Sequence, residues 1–334
     1  MQQQSRLKDL GRLVFVVVGL AAGLVVMAAQ AQNATTWPTR PVTILVPFAP
    51  GGGTDIGTRI VAQKLSQLLG QSVVVDNRGG AGGNVGLELV SRAKPDGYTL
   101  LAGNVGTQSI NPTLYKKLNY NPDTAFVPIG QFAELPFVLA ATTSLPAANV
   151  RELISLAKDQ PDKLMYASSG NGGSPHLSAE TFKIATGTKI LHVPYKGGGA
   201  AMTDLIAGNV HLLFASVLET SAYIKAGKLK ALAITSKKRV SALPDVPTLQ
   251  ESGISGAESG SWIGLLAPAG TPSAIIDKIS QGLQQVIAMP DVQQQLLAQG
   301  AVAQGGTSSE FAGLIAADRK KYARIIIDNH LAAD

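Results

Sequence analysis

Three short stretches hold the residues best suited to chemistry. The first is Pro50-Gly51-Gly52-Gly53-Thr54-Asp55, where glycines open a helical pattern. Backbone N–H groups at a helix start, helped by the helix dipole, bind anions without a cationic side chain. Glycine lets the backbone come close to a ligand and adopt positive φ. Thr54 can cap the helix or donate its hydroxyl to a ligand. Asp55 can bond an amino or hydroxyl group, or simply complement the dipole in the first turn. The competing reading is that these glycines only turn the chain between strand and helix. The second stretch, Tyr166 to His176, offers hydroxyl and amide donors at Ser168, Ser169, Asn171 and Ser174 among Gly170, Gly172 and Gly173. The third, Tyr195-Lys196 followed by Gly197 to Gly199, brings a cation that either meets an anionic ligand or stays solvated. Tyr195 either walls a pocket or closes a strand end, and Ser216 follows the apolar run Leu212 to Ala215.

The spacing excludes several enzyme classes. No Lys-Ser or Lys-Thr pair closes Gly51 to Gly57, so this is not a phosphate-binding P-loop. The dinucleotide fingerprint G-x-G-x-x-G fails because Ile56 stands at its last position. Neither Ser169 nor Ser174 sits in the G-x-S-x-G of a nucleophile elbow. The four histidines, His176, His192, His211 and His330, show no metal-ligand spacing. His176 is expected to donate a hydrogen bond or start a helix rather than act as a general base. No catalytic constellation, cofactor motif or metal site is visible.

Elements that must position these loops follow one repeated plan: a short β-rich run, a small polar or glycine-rich loop, then a helical pattern. Val42 to Val46 leads into the first loop and a helix from about Thr54, with Ile56, Ile60, Leu65 and Leu68 on one face. Val73 to Val75, Tyr98 to Gly103, Leu164 to Ser169 and Ile190 to Tyr195 start further units; after Tyr98 to Gly103 come Asn104 and Thr107. Alternating strands and helices predict an α/β fold with largely parallel sheets. Ligands then bind at the carboxyl ends of strands, where these loops fall. Phe137 to Ser144 reads as a strand entering a new stretch, Arg151 to Lys158 as a helix, and Ser236 to Ser261 as polar and turn-rich. The plan suggests two lobes, residues 37–137 plus 262–334 and residues 138–261, with the chain crossing over and returning.

The N-terminus reads as a secretory leader over residues 1–31. Arg6, Lys8 and Arg12 precede an apolar run, Leu13 to Met27, and Ala29-Gln30-Ala31 supplies a small-residue cleavage site. That run is shorter than the ~20 residues a membrane-spanning helix needs. The chain has no cysteine, which removes disulfides, thiol chemistry and lipid attachment at a cleavage-site cysteine. Roughly 300 residues remain, enough for two ordinary domains. Net charge is +6 with charged residues at 15%, and the positives are scattered. Nucleic acid as a partner would call for a basic stripe with interleaved aromatics, which is absent.

Longer motifs carry a resemblance. "WPTRPVTILVPFAPGGGTDIGTRIVAQKL", "VVVDNRGGAGGNVG", "PDGYTLL", "HVPYKGGGAAMTDLIAGNV" and "LPDVPTLQESGI" resemble the substrate-binding receptors of tripartite tricarboxylate transporters, the Bug family of periplasmic binding proteins. The resemblance runs from Trp37 to near the C-terminus. It implies a two-lobed, type II Venus-flytrap fold, each lobe an α/β sandwich, with the ligand in the cleft. It implies that the first and second glycine loops hold a ligand carboxylate with backbone N–H groups, hydroxyls and ordered water. Carried onto this sequence, the site would comprise Phe48, Ala49, Gly52, Gly53, Thr54 and Asp55, with Asn104 and Thr107 nearby. The second lobe would add Ser168, Ser169, Gly170, Ser174, His176, Tyr195 and Ser216. The implied protein is a monomeric periplasmic receptor without a cofactor, handing a di- or tricarboxylate, acidic amino acid or aromatic acid to a large and a small membrane subunit. A periplasmic sensor serving a signalling partner, and a secreted α/β enzyme, are the alternatives.

Overall fold

The computed structural model describes residues 37–332, so the leader expected over residues 1–31 lies outside the described residues. In chain order the strands and helices are β1 (Val42–Val46), α1 (Gly53–Leu69), β2 (Val73–Asn77), α2 (Asn84–Ser91), β3 (Thr99–Asn104), α3 (Asn111–Leu114) and β4 (Phe126–Thr142). Next come α4 (Val150–Asp159), β5 (Met165–Ser168), α5 (Ser174–Thr186), β6 (Leu191–Pro194), α6 (Gly198–Ala207), β7 (Leu212–Ser216), α7 (Val217–Lys225) and β8 (Leu229–Ile234). The chain closes with β9 (Gly260–Pro268), α8 (Ser273–Ala288), α9 (Pro290–Ala298), β10 (Val302–Ala303) and α10 (Ser308–Asp328). A short helical turn, Gly106–Ile110, leads into α3.

Strand alternation decides the layers. In β1, Val42, Ile44 and Val46 point to one side and pack with Ile60, Val61 and Leu65 of α1 and Ile275, Ile279 and Leu283 of α8. Leu45 points to the other side and packs with Leu87 and Val90 of α2 and Phe311 and Ile315 of α10. A parallel set β2-β1-β3 covered by helices on both faces is the outcome expected of such doubly apolar strands, but β9 and β4 extend it antiparallel, so the sheet is mixed and not largely parallel as expected. Leu68, which the helical period placed on the buried face of α1, is exposed, while Val61 and Ala62 are buried. The second lobe repeats the scheme. Tyr166 and Phe214 face Leu153 and Phe182 on one side, and Ala167 and Leu213 face Met202 and Leu205 on the other.

One long strand joins the lobes. Residues Phe126 to Pro136 of β4 pair antiparallel with β9, and β9 pairs with β3 beside the parallel set β2-β1-β3. From Phe137 to Ala141 the same strand pairs with β7, which continues through parallel β5 and β6; β8 lies on its other edge. Thus β4 starts at Phe126, eleven residues before the run legible in the sequence. Pro128, Gly130 and Pro136 hide its first half from a propensity reading, and the register shifts between Pro128 and Gly130. The carboxyl ends of β1, β3, β5, β6 and β7 carry the loops with candidate chemistry, and they face one another across the gap between lobes.

Candidate functional site

A small cavity lies where those loops meet. It is lined by Phe48, Gly52, Gly53, Thr54 and Asp55 after β1, and by Asn104 at the end of β3. Ser169, Ser174 and Pro175 come from the β5–α5 loop and Ser216 from the end of β7. Leu135 and Phe137 of β4 form an apolar floor, and Gly198, Glu219 and Ser261 complete the wall. Its volume is about 40 Å³. A water needs about 10–15 Å³ on this scale, so the inner end takes a group of about three heavy atoms. That is the size of a carboxylate head.

Donor geometry suits such a head. Gly52 is the N-cap of α1, with no side chain capping the helix, so the N–H groups of its first turn lack intrahelical acceptors. The Gly53 N–H donates to Glu219 Oε2 at 2.7 Å, a carboxylate already resting on this helix start. Thr54 therefore does not cap. Its Oγ1 accepts from Asn104 Nδ2 at 3.1 Å, which leaves the hydroxyl proton to donate. Ser216 Oγ is buried without a hydrogen-bond partner and lines the cavity. Such an orphan costs about 1–3 kcal/mol unless something in the cavity bonds it.

Asp55 has a structural task. It accepts from the Gly51 N–H at 3.0 Å, Arg59 Nε at 3.0 Å and Asn77 Nδ2 at 2.9 Å. Burial pushes its carboxyl up, but the Arg59 guanidinium and these two donors outweigh burial and hold it below the usual carboxylate range. Asp55 thus fixes the glycine loop onto α1 and β2, and its charge is balanced by Arg59.

Several expected residues stand behind the cavity rather than on it. Thr107 clasps Asn104, donating its N–H to Asn104 Oδ1 at 3.0 Å and its hydroxyl to the Asn104 carbonyl at 3.1 Å. Ser168 Oγ bonds His192 Nε2 at 2.6 Å, and Gly170 makes the turn with φ of 122°. His176 Nδ1 accepts from the Gly172 N–H at 3.2 Å, so it acts as an acceptor and not the expected donor there. The His176 and His192 rings stack at 4.2 Å, and His192 stacks on Tyr166 at 4.8 Å. Burial keeps both imidazoles neutral, lowering His176 to about 4 and His192 to about 3. Tyr195 donates to Asp204 at 2.6 Å; burial, aided by Asp204, pushes its phenol up to about 12. Lys196 is exposed and meets the other lobe through its carbonyl, which accepts the Ala49 N–H at 3.2 Å.

Further bonds tie the lobes beside the cavity. Tyr115 donates to the Asn171 carbonyl at 2.7 Å, and the Gly106 N–H donates to Ser174 Oγ at 3.1 Å. Ser174 and Ser261 hydroxyls lie 3.2 Å apart. Among the described residues no group of three or more His, Cys, Asp or Glu could hold a metal ion. No helix among them is long and apolar enough to cross a membrane.

Residues 58–331 match the family described as "Tripartite tricarboxylate transporter family receptor". The chain belongs to this family. Its Bug-type receptor architecture is similar to that of the periplasmic binding protein BugD, with 38% identity and a TM-score of 0.86 over 89% of this chain and 99% of that one. A protein from R. palustris determined with adipate is 36% identical, with a TM-score of 0.86 over 89% and 99% of the two chains. MatC from Rhodopseudomonas palustris, determined with bound malate, is 31% identical, with a TM-score of 0.84 over 87% and 100%. The receptor fold therefore has two lobes with the cavity between them. Leu135, Phe137, Pro175, Gly198, Glu219 and Ser261 were not legible as site residues. The first two sit in the crossover strand, Gly198 was only one of three consecutive glycines, and Glu219 reads from sequence as an ordinary first-turn acid of α7.

Proposed function

We propose that this receptor captures a small carboxylate in the interlobe cavity outside the cytoplasm and delivers it to membrane transporter subunits. The observation that carries the reading is the buried, unpartnered Ser216 Oγ beside the start of α1, where Thr54 keeps a hydroxyl proton to donate. These are neutral donors converging on a space the size of a carboxylate, and such donors suit an anion that must be released again. Relatives determined with adipate and malate support the same chemistry for this chain. We read the lobes as residues 37–137 plus 262–334 and residues 138–261, since β4 changes partners at Pro136 and Phe137. Export by a cleaved leader and a monomeric state belong to the same reading, and no residue set in the cavity supports turnover. Isothermal titration against di- and tricarboxylates, acidic amino acids and aromatic acids tests it. Binding of one class with no turnover is expected; no binding across the panel, with hydrolytic or transferase activity instead, overturns it.

A further inference from the structure

Glu219 is the one lining residue whose charge has no cation beside it. The lining contains no lysine, arginine or histidine, and its other acid, Asp55, is paired with Arg59. Glu219 projects from the first turn of α7 into the interlobe gap, where Oε2 accepts the Gly53 N–H at 2.7 Å. The carboxyl is packed between three backbones. A Cβ on Gly198 would lie 2.7 Å from Oε2, and one on Gly52 would lie 3.4 Å from it. Glycine at position 198 is thus what leaves room for this carboxyl. Burial raises its pKa to about 7 against the opposing bonds from the Gly53 and Ser216 backbones. Around it, α1 presents Asp55 with Arg59, the β6–α6 loop presents only exposed Lys196, and the end of β7 presents uncharged Ser216.

A second carboxylate entering the same desolvated space meets Glu219 as a like charge, which disfavours both ionised forms. A solute that carries a cation next to its carboxylate meets it as a partner. We propose that Glu219 is a specificity-determining residue that selects a carboxylate bearing an ammonium group over the plain carboxylate of the same length. The inference rests on the carboxylate-receptor reading above. The solute carboxylate takes the donors of Thr54, Ser216 and the α1 start, and its ammonium donates to the Glu219 carboxylate. The competing role is structural: Glu219 reaches back to the Ser216 N–H as half of a capping box.

Matched solute pairs separate these outcomes. Titrations at about pH 8 compare succinate with aspartate, glutarate with glutamate, and propionate with alanine, for the native chain and Glu219→Gln. Glutamine keeps an acceptor for Gly53, and thermal melting checks that the variant is folded. The expected result is at least one pair whose ammonium member binds about tenfold tighter or more, the scale of a charge-assisted hydrogen bond. In Glu219→Gln that preference falls to about twofold or less. Acidification towards pH 6 protonates Glu219, so native affinity for the ammonium member falls while the variant's stays flat; a cap alone predicts no such dependence. Equal binding within every pair, a preference that survives Glu219→Gln, or ammonium-member binding that does not weaken as pH falls overturns the inference and leaves the receptor reading standing. No binding by any pair or by the wider panel removes both.

Discussion

Replacing Gly53 by alanine tests the cavity where the start of α1 meets Ser216. A Cβ built on Gly53 overlaps Ser216 Oγ and lies 3.1 Å from Ser216 Cβ and 3.3 Å from Leu135 Cδ1. Gly53 is not among the residues with positive φ, so its backbone accepts alanine, and alanine is the better helix residue. The first lobe alone should therefore keep or slightly gain stability. The added methyl meets Leu135 of the first lobe at 3.3 Å, which a small shift of that side chain relieves, and its main conflict is with Ser216 of the second lobe. Overpacking a fitted site costs about 1–3 kcal/mol, which raises Kd about 5- to 150-fold. The assay pairs calorimetric titration of the tightest-binding acid with thermal unfolding. Weaker binding at an unchanged or higher Tm is the expected outcome. Native affinity in a folded Gly53→Ala variant would refute the claim that solute is held where the α1 start meets Ser216.

Thr54→Val keeps the shape but removes the hydroxyl that accepts from Asn104; titration should show binding weaker by about 1 kcal/mol or more, and unchanged affinity would leave Thr54 a packing residue. Because both lobes supply donors, solute should favour the closed form in proportion to its differential affinity for that form; small-angle scattering should show compaction on adding solute, and an identical profile would count against closure. Burial holds His176 at about 4 and His192 at about 3, so below about pH 6.5 the unfolded chain takes up protons first and stability falls as pH drops towards 4. The slope is at most about 1.4 kcal/mol per pH unit for each imidazole, and less for the partly exposed His192. Urea midpoints at pH 7.5 and pH 5 measure it, and His176→Gln should shrink the difference; a midpoint that rises on acidification would contradict it.

The alternation of strand and helix, the loops at strand ends and the anion-type start of α1 were legible because each depends on local pattern. Val42 to Val46 reads as a strand from its own residues, and Gly51 to Asp55 reads as a loop-to-helix transition in the same way. The long strand β4 was half hidden, since Pro128, Gly130 and Pro136 read against a strand, and Pro128 and Gly130 flank a register shift against β9. Glu219 was illegible for a different reason. It meets Gly53 across 166 residues of sequence, and the space for its carboxyl depends on Gly198, so only the folded arrangement separates it from any other first-turn acid. The second glycine loop was legible as a donor-rich turn, yet the burial of Ser168 and His176 behind it follows from the stacked His176, His192 and Tyr166 rings, which join residues from β5, α5 and β6.

The most direct test of the carboxylate-receptor account is a crystal structure of the protein with the acid that binds it most tightly. The account predicts one carboxylate within hydrogen-bonding distance of Thr54 Oγ1, Ser216 Oγ and the N–H groups at the start of α1, with both lobes in contact with the solute. Density for the acid elsewhere, with Ser216 Oγ still unpartnered, would contradict it.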